Sequence, residues 1–548
     1  MSPGYRTLVA GAAGMVVALG ISELVHGLYA LVPSVPVALS QTIVELTPGA
    51  LATAGIGVLG KAAAPIIVAV VVASALLSGA ALAVLALRSR GAALLGVAVL
   101  GAVALLAAFS EPFVAPVVTI VTVLGALSAG ALVSGLLLQS SGALAGRSGP
   151  GGEGHAGRRE PSPFSGRCRE AHSGGGVAVN RRSFLALAGG AAAAGAAAAG
   201  AGRLLTGEED AELAGTRPLQ STQRGGPGQV VPEVRTSVPP PPPEASIEVP
   251  GMPPLITPAE DFYLIDTALA SPRVNRDRWS LKVKGAVGSP LTLSYEDLLS
   301  LPVIEAYVTL SCVSNEVGGG LVSNAKWTGV PLSTVLREAG VAPDGVNRAN
   351  EQLVGRSVDG WTAGFRTRTA FEREEALVAF AMNDDELPVK HGYPARLVVP
   401  GLYGYVSATK WLNEIELTNR GYDAYWIQRG WSKQGPVKTQ SRIDTVEPGA
   451  TLRAGAIPVG GVAWAPTRGI NGAEVSTDGG ETWNEARLAA QLDVDAWRQY
   501  VYDWDAEPGE YVLKVRATDG VGETQTAEEA APIPSGATGY HTIEVTVT

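Results

Sequence analysis

The sequence predicts a multidomain protein in which N-terminal transmembrane helices precede an α+β domain with a mixed sheet and a C-terminal antiparallel β-sandwich. Three observations support this fold class. Residues up to about 205 are rich in Ala, Leu, Val and Gly and contain long apolar runs. Strand and helix patterns alternate in the middle of the chain, and short alternating strands separated by turn residues follow to its end.

Four apolar segments within residues 1–138 are each long enough to span a bilayer. They lie at about residues 7–32, 63–87, 91–109 and 112–138. The connection at residues 33–61 is expected outside, either with a short interfacial helix or as a re-entrant segment. Arg6 precedes the first segment and Arg88 and Arg90 separate the second from the third, so the positive-inside rule places both ends of this unit in the cytoplasm.

A second kind of membrane signal follows this four-helix unit. Residues 139–180 are rich in Gly, Ser, Pro and Arg, which predicts a disordered cytoplasmic linker that includes Cys168. In residues 181–205, Arg181 and Arg182 precede a run of Ala and Gly. This pattern is similar to a twin-arginine export signal, and a plain fifth transmembrane helix is the alternative. Both interpretations carry the following residues across a bacterial cell membrane, and export in the folded state favours a cofactor inserted beforehand.

Three further regions complete the domain prediction. Residues 206–250 are acidic and Pro-rich, which predicts an extended spacer. Residues 251–430 alternate strand patterns such as 279–284 with helical patterns such as 294–301, which predicts the α+β domain. Residues 431–548 contain short strands between turn signals at 478–480, 508–509 and 519–520, which predicts the antiparallel β-sandwich.

Composition and motifs exclude several function classes. The net charge is −10, with the acidic residues mostly in the C-terminal half, which argues against a nucleic-acid partner. Cys168 and Cys312 are the two cysteines, and the predicted topology separates them by the membrane, which excludes a disulfide between them. Motifs for nicotinamide binding, P-loops, zinc proteases and c-type haem are absent from residues 251–430. The apolar segments contain His26 but no second histidine, so they lack the two axial ligands that a b-type haem would need.

Cys312 is the residue around which the site prediction is built. It ends the β-branched run Val308-Thr309-Leu310-Ser311 and precedes the glycines at 318–320. Such a run predicts a buried strand that delivers its last residue to a loop rim. A cysteine in this position is either a small core residue or a reactive thiol, and His391 is the one histidine in residues 251–430 that a catalytic dyad would need.

Three separated motifs resemble the molybdopterin-binding domain of the sulfite oxidase family. They are TLSCVSN at 309–315, KWTGVPL at 326–332 and AMNDDELPVKHGYPARLVVPGLYGYVSATKWL at 381–412. The resemblance covers about residues 252–430 and follows the order of the family. It implies a molybdenum-molybdopterin cofactor, with Cys312 as the protein thiolate that binds molybdenum.

The resemblance also implies a set of pterin contacts. His391 and Arg396 match the segment that contacts the pterin and its phosphate, for which a planar guanidinium is well shaped. Ser407, Ala408 and Thr409 match the stretch that holds the phosphate, and Lys410 matches the lysine that follows it. Phe262 and Tyr263 match the aromatic pair at the start of the domain. Trp327 and Trp411 are expected to pack in the core.

Three departures from sulfite oxidases concern the substrate. Ile265 and Glu316 stand where those enzymes carry arginine, and Trp431 stands in place of an active-site tyrosine. The loss of cationic side chains disfavours a dianion, and repulsion by Glu316 in a partly buried cleft would cost about a few kcal/mol. A neutral or cationic substrate, such as a sulfoxide, fits this pocket better than sulfite.

Residues 475–483 resemble part of the immunoglobulin-like dimerisation domain of the same family, which implies a homodimer. The sequence therefore predicts a multi-pass membrane protein that carries out two-electron oxygen-atom transfer on the extracytoplasmic side of the cell membrane. Its partners would be membrane lipid, a small-molecule substrate and an electron donor or acceptor outside this chain. The alternative is a non-enzymatic, membrane-anchored binding or scaffold protein that retains the fold.

Overall fold

The computed structural model describes residues 3–29, 31–47, 51, 62–111, 114–140, 181–213 and 234–548. The chain divides into two compact units, and the boundary near the end of the N-terminal helices lies between Asp210 and Ala211. The predicted linker at 139–180 falls almost entirely on residues outside this description, and Cys168 is one of them.

The described residues of the first unit form six helices. They are α1 (Pro3–Leu28), α2 (Val35–Leu46), α3 (Ala63–Arg88), α4 (Arg90–Ser110), α5 (Pro116–Ser140) and α6 (Arg181–Leu213). Among the described residues, five segments are long and apolar enough to cross a bilayer: Gly4–Leu28, Ala63–Arg88, Arg90–Ser110, Pro116–Ser140 and Arg181–Leu205. The four predicted spans and the apolar helix after Arg181 are therefore present as helices, and α2 is the predicted short helix between the first two.

Helix α1 packs against three neighbours through paired glycines. In each pair, a Cβ added to the α1 glycine would overlap the backbone of the facing helix, so only glycine permits the observed approach. The pairs join α1 to α3, to α5 and twice to α6: Gly11 with Gly79, Gly14 with Gly130, Gly20 with Gly195, and Gly27 with Gly202. Helix α6 is thus an integral part of this bundle.

The directions of the helices place Arg6 of α1 and the arginines at the start of α6 at the same end of the bundle. The guanidinium of Arg6 lies 5.6 Å from the ring centroid of Phe184, so the starts of α1 and α6 are neighbours. The Ala115 N–H donates to the Leu31 oxygen at 2.9 Å, which places the start of α5 beside the end of α1. Helices α1 and α6 are therefore parallel to each other and antiparallel to α5.

A polar contact lies at the opposite end of α1. Glu23 is only 6% exposed, and its carboxylate accepts a hydrogen bond from Ser34 at 2.8 Å. The Nδ1 of His26 lies 2.7 Å from the Val32 oxygen. Glu23 thus faces the interior of the bundle, and its carboxylate is hydrogen-bonded by a hydroxyl that follows α1 in the chain.

The second unit contains two mixed sheets in its first part. The six-stranded sheet has the order β1-β4-β5-β8-β10, with β9 paired to β8, and the five-stranded sheet has the order β3-β2-β11-β6-β7. Each has one parallel pair, β1 with β4 and β2 with β11. The strands are β1 (Val234–Thr236), β2 (Ser280–Gly285), β3 (Leu291–Ser294), β4 (Val303–Ser311), β5 (Val322–Pro331), β6 (Gln352–Ser357), β7 (Thr362–Arg366), β8 (Leu377–Met382), β9 (Asp385–Glu386), β10 (Arg396–Val398) and β11 (Leu412–Thr418).

Short helices connect these strands, which confirms the α+β prediction. They are α7 (Tyr295–Ser300), α8 (Leu332–Glu338), α9 (Thr369–Glu372) and α10 (Gly404–Ser407). Ser294 caps α7 as predicted: its hydroxyl accepts the Asp297 N–H, and the Asp297 carboxylate accepts the Ser294 N–H, which forms a capping box. Helix α10 is a single turn between β10 and β11, inside the predicted phosphate-holding segment.

Two further sheets form the C-terminal part and share one apolar core. One has the order β12-β14-β18-β17 and the other β13-β20-β19-β15-β16, and all pairs except β13 with β20 are antiparallel. The strands are β12 (Gln440–Ile443), β13 (Thr451–Leu452), β14 (Gly455–Trp464), β15 (Ile470–Ser476), β16 (Asn484–Glu485), β17 (Arg487–Leu488), β18 (Arg498–Ala506), β19 (Gly509–Asp519) and β20 (His541–Val547). This arrangement is the predicted β-sandwich; its immunoglobulin-like topology stays a prediction.

The Pro-rich segment differs from its prediction as a spacer. Residues 234–250 lie along the second unit: β1 pairs with β4, and the Ser237 hydroxyl donates to Glu305 at 2.7 Å. The Ile247 N–H donates to Gln499 at 2.6 Å. A proline-rich segment has few backbone N–H donors and cannot form a sheet of its own. Its carbonyls and remaining N–H groups bond to neighbouring strands instead; for example, the Tyr307 hydroxyl donates to the Pro239 oxygen at 2.9 Å.

Candidate functional site

Cys312 follows directly on β4 and begins a closed loop. Its N–H donates to the Leu321 oxygen at 2.9 Å, and the Leu321 N–H donates to the Asn315 side-chain oxygen at 2.8 Å. The thiol is only 8% exposed. The predicted strand thus ends where the sequence placed it, and the loop from 312 to 321 is closed by its own hydrogen bonds.

The Cys312 thiol has two hydrogen-bond donors beside it. Burial raises its pKa, and hydrogen bonds from the backbone and the side chain of Ser314 lower it in part. The sulfur is therefore a protonated thiol in the absence of a cation, with donors already aimed at the charge that a thiolate would carry. Such a group releases its proton when it binds a metal.

Tyr263 lies near this thiol, and Phe262 packs against Tyr263. Their rings stack at 5.4 Å, and Phe262 also meets the edge of Trp327 at 5.6 Å and the His391 ring at 5.5 Å. Burial raises the pKa of Tyr263, and the nearby Cys312 raises it further. Phe262 is therefore a packing contact that joins His391 to the core, and Tyr263 is a neutral phenol near the sulfur.

His391 is held as a neutral ring. Its Nε2 lies 2.7 Å from the Ala259 oxygen, and because a carbonyl only accepts, Nε2 carries the proton. Burial lowers the pKa of His391 to about 3, which the Ala259 hydrogen bond partly opposes. The unprotonated Nδ1 is then an acceptor, as a ring that binds an N–H group of a pterin must be.

Arg396 is a buried cation at the start of β10. Its guanidinium donates to the His391 oxygen at 3.1 Å and lies 5.1 Å from the centroid of the Trp327 ring. Burial lowers its pKa to about 10. In the part of the chain that the structure describes, no carboxylate forms an ion pair with Arg396; the charge of Asp266 raises its pKa in part, but the Asp266 carboxylate is paired with Lys410.

Lys410 has a partner that the sequence did not predict. Its ammonium forms an ion pair with Asp266 and donates to the Lys390 oxygen at 3.0 Å. Burial lowers the pKa of Lys410 to about 8, and Asp266 opposes this change. Asp266 lies beside Ile265, in the segment where sulfite oxidases carry Arg-Asn-His, so a carboxylate now neutralises part of the positive charge of the site.

The hydroxyls of the predicted phosphate-holding stretch point elsewhere. Ser407 donates to the Tyr403 oxygen at 3.0 Å within α10. Thr409 Oγ1 is buried, has no hydrogen-bond partner among the described residues, and would lie 2.6 Å from a Cβ added at Gly355. Ala408 has no polar side chain to offer. The backbone N–H groups of Ala408 and Thr409 donate to the Gly404 and Ser407 oxygens at 2.9 and 3.1 Å, so a phosphate contact by residues 407–409 stays a prediction.

The residues present fit a molybdopterin. A soft sulfur ligand, a neutral histidine acceptor and a buried guanidinium without a carboxylate partner converge on one site. Leaving a cation buried without a counter-charge is costly, and an anionic group such as a phosphate would compensate it with charge-assisted hydrogen bonds. Cys312, Tyr263, His391, Arg396 and Lys410 are thus brought together, as the family resemblance implies.

Tyr403 and Ser314 are site residues that the sequence reasoning did not assign. The pKa of Tyr403 is raised to about 12 by burial, while the Lys438 N–H lowers it and the nearby Cys312 raises it. Its hydroxyl accepts that N–H at 3.4 Å. Ser314 lies within the motif TLSCVSN, and Tyr403 lies just before the matched phosphate-holding stretch. Their positions next to these motifs are the sequence feature from which both residues could have been identified.

Two of the departures from sulfite oxidases lie at the surface. Glu316 is exposed and Ile265 is 44% exposed. Solvent screens an exposed carboxylate, so the repulsion by Glu316 is weaker than expected for a partly buried cleft. What distinguishes the site is the absence of cationic side chains at these positions.

The third departure, Trp431, is buried. Its ring stacks on that of Trp426 at 4.1 Å, so it fills space where sulfite oxidases carry a tyrosine.

Comparisons with known proteins concern the domain that contains this site. A family model described as the oxidoreductase molybdopterin-binding domain matches residues 268–426. The mitochondrial sulfite oxidase of Rattus norvegicus is 30% identical over 291 residues, which cover 46% of this chain and 52% of that protein. The uncharacterized oxidoreductase YuiH of Bacillus subtilis is 32% identical over 158 residues, which cover 29% of this chain and 74% of that protein.

The similarity is partial in length. The chain spans about half the length of the mitochondrial sulfite oxidases it matches, with 52% of the rat and 55% of the Mus musculus protein covered. Among solved structures, the sulfane dehydrogenase SoxCD of Paracoccus pantotrophus is 25% identical, with a TM-score of 0.46, over 56% of this chain and 83% of that chain.

Proposed function

Because the chain belongs to the sulfite oxidase family of molybdopterin-dependent oxidoreductases, we propose that it is a membrane-anchored enzyme that transfers an oxygen atom to or from an uncharged small molecule. One observation carries the proposal. Cys312, Tyr263, His391 and Arg396 surround one buried site, in which the Arg396 cation lacks a carboxylate partner among the described residues. A sulfoxide is the substrate class that we favour.

The cofactor supplies the two-electron change and the exchange of oxygen when it is bound. In the reductive direction, a sulfoxide loses its oxygen as water while two electrons and two protons enter; the oxidative direction is the reverse. Cys312 would hold the metal through its sulfur, and the Ser314 donors would stabilise the negative charge of the thiolate. Tyr403, a neutral phenol close to Cys312, can hold the proton that the substrate oxygen needs.

The charge of the site supports an uncharged substrate. Lys410 is paired with Asp266, and Arg396 is assigned to the phosphate of the cofactor. With Ile265 and Glu316 in place of arginines, few cationic groups remain for a dianion such as sulfite. A sulfoxide needs only a hydrogen-bond donor to its oxygen, whereas sulfite needs cationic partners for its two negative charges. Because those cationic partners are missing, the site favours a sulfoxide over sulfite.

The cellular arrangement is part of the same proposal. Arg6 and the start of α6 lie at one end of the helical bundle, which supports a cytoplasmic assignment of that end and an extracytoplasmic second unit. The twin-arginine-like segment would then serve export of a folded, cofactor-containing domain. We also propose that the C-terminal sandwich is immunoglobulin-like and forms a homodimer, and that an electron donor or acceptor outside this chain exchanges the electrons.

The test is molybdenum analysis of the full-length chain, purified in detergent from a host that makes molybdopterin. We expect about one molybdenum per chain, and Cys312→Ser to lose activity and most of the metal because a hydroxyl is a poor ligand for this soft site. Cys168→Ser is the matched control and should retain both. Folded protein without molybdenum, or a Cys312→Ser variant with unchanged metal and activity, would contradict the proposal and favour a non-enzymatic protein.

Substrate class is tested on the same preparation. We expect turnover of an uncharged sulfoxide with a reduced dye as electron donor, or of the corresponding sulfide with an oxidised dye. Sulfite should be a poor substrate, with a kcat/KM at least about threefold lower than that for the sulfoxide, because two cationic side chains at partly or fully exposed positions are missing and each exposed ion pair contributes up to about 1 kcal/mol. Efficient sulfite oxidation would overturn the assignment of an uncharged substrate.

A further inference from the structure

The C-terminal sandwich contacts the strand that leads to Cys312. Thr309, three residues before the cysteine, is buried, and its N–H donates to the Asp495 oxygen at 2.9 Å. Its hydroxyl accepts the Trp497 N–H at 2.7 Å and donates to the Asn324 side chain at 3.0 Å. The end of β4 is therefore fixed from one side by the segment of the sandwich that precedes β18.

The same sandwich contacts the loop beyond Cys312. Arg442 donates to the Gly319 oxygen at 2.9 Å, and Asp444 orients its guanidinium by accepting from Nε at 2.6 Å. Gly318 adopts a φ of +77° and lies so close to the His541 ring that an added Cβ would overlap it. His541 is itself held, because its Nδ1 accepts the Ile443 N–H at 3.0 Å.

The cysteine thus lies between two anchored points. The sandwich fixes the chain at Thr309 before it and at Gly318 and Gly319 after it, and the hydrogen bonds between Cys312, Asn315 and Leu321 join these points. Loops usually move more than the strands they connect, and a metal ligand must be held within about 0.5 Å of its productive position. A loop that carries such a ligand needs outside support.

We propose that the C-terminal sandwich positions the Cys312 thiol, with Arg442 and His541 as the positioning residues. This role is separate from any contact between two chains. The inference rests on the proposed function only for what the thiol binds; the restraint of the thiol follows from contacts within this chain. If the loop is released, the thiol becomes accessible and its metal geometry changes, while the two sheets of the sandwich keep their own core.

Gly318→Ala is the decisive variant and Gly320→Ala is its matched control. Both introduce one methyl group into the same loop, but Gly320 has open space at its Cβ position and a φ outside the left-handed region. The first readout is the rate at which a thiol reagent modifies Cys312 in the full-length Cys168→Ser chain, prepared without molybdopterin. We expect Gly318→Ala to raise this rate about tenfold or more through local opening, and Gly320→Ala to leave it within about twofold.

Arg442→Lys provides a second variant that retains the positive charge beside Asp444 but loses the fork that reaches Gly319. It should also raise the modification rate, with a midpoint of thermal unfolding close to that of the parent chain. The second readout is the Mo(V) electron paramagnetic resonance spectrum of the loaded enzyme, which should change in Gly318→Ala and Arg442→Lys and not in Gly320→Ala.

The outcomes separate this inference from the proposed function. Raised thiol reactivity in Gly318→Ala and Arg442→Lys supports the positioning role even if the chain never holds molybdenum. Thiol reactivity and spectra equal to those of Gly320→Ala overturn the positioning role, even if the enzyme contains molybdenum and is active. If the rate of Cys312 modification rises only in proportion to a fall in the midpoint of thermal unfolding, the thiol is exposed by global unfolding. That result would also overturn the positioning role.

Discussion

At the residue scale, Arg396 shows how a functional group can lower stability. Its guanidinium is buried and lacks a carboxylate partner in the described part of the chain, and burial lowers its pKa to about 10. A buried charge of this kind is costly until an anion binds, whereas a hydrophobic side chain of similar volume is often neutral or stabilising. Cofactor binding and apoprotein stability should therefore respond in opposite directions to its removal.

We predict that Arg396→Met does not lower the thermal midpoint of the cofactor-free chain, while it weakens cofactor retention about 10- to 100-fold through loss of charge-assisted hydrogen bonds. Calorimetry and assay of released pterin measure the two effects. Arg356→Met is the control, because Arg356 has ion pairs with Glu414 and Glu416 and should lose stability without a change in retention. Parallel behaviour of the two variants would refute the assignment of Arg396.

At the element scale, α6 combines a sequence pattern of export with the packing of a permanent helix. Gly195 and Gly202 contact the backbone of α1, and Phe184 is buried beneath Arg6. A signal that is removed after export has no need of a fitted partner within the chain. We therefore expect residues 181–213 to remain in the mature protein as the fifth transmembrane helix.

We predict that the intact mass of the purified protein includes this helix, and that Gly195→Leu lowers the thermal midpoint in detergent. The added side chain would overlap the α1 backbone, and overpacking costs about 1–3 kcal/mol. Gly200→Leu is the matched control, since nothing lies within 4 Å of its Cβ position. A mass that begins after residue 205, or equal effects of the two substitutions, would show that α6 is not a fixed member of the bundle.

At the scale of the second unit, one glutamine joins three segments that are distant in sequence. Gln499 of β18 is only 2% exposed; its oxygen accepts the Ile247 N–H at 2.6 Å and its Nε2 donates to the Pro253 oxygen at 2.8 Å. The Pro-rich segment, the first residues of the α+β part and the sandwich therefore meet at one side chain. This explains why residues 234–250 follow the surface of the unit instead of extending away from it.

We predict that Gln499→Leu destabilises the full chain by about 2–4 kcal/mol, because it leaves one buried N–H and one buried carbonyl without partners. Denaturant unfolding monitored by tryptophan fluorescence measures this change. Gln428→Leu, at an exposed position where the amide donates only to the Asp423 oxygen, should stay within about 0.5 kcal/mol of the parent chain. A change in Gln499→Leu as small as that of Gln428→Leu would mean that the Pro-rich segment is docked only weakly.

The sequence by itself determined the elements and the candidate ligand. Apolar length specified the membrane helices, period-two patterns specified strands such as β4 and β19, and three ordered motifs identified Cys312, His391 and Arg396. These features are local: hydrophobic periodicity and short motifs act over a few residues, so they can be recognised without knowledge of the fold.

The tertiary structure decided which groups lie around that ligand. The pairing of Lys410 with Asp266, the approach of Tyr403 to Cys312, the packing of His541 on Gly318 and the docking of residues 234–250 all join positions whose separation carries no sequence pattern. Glu316 shows the same limit, since only its exposure revealed how weak its charge effect is. Partners of this kind are set by the packing of sheets and loops against each other, and a motif contains no information about what packs against it.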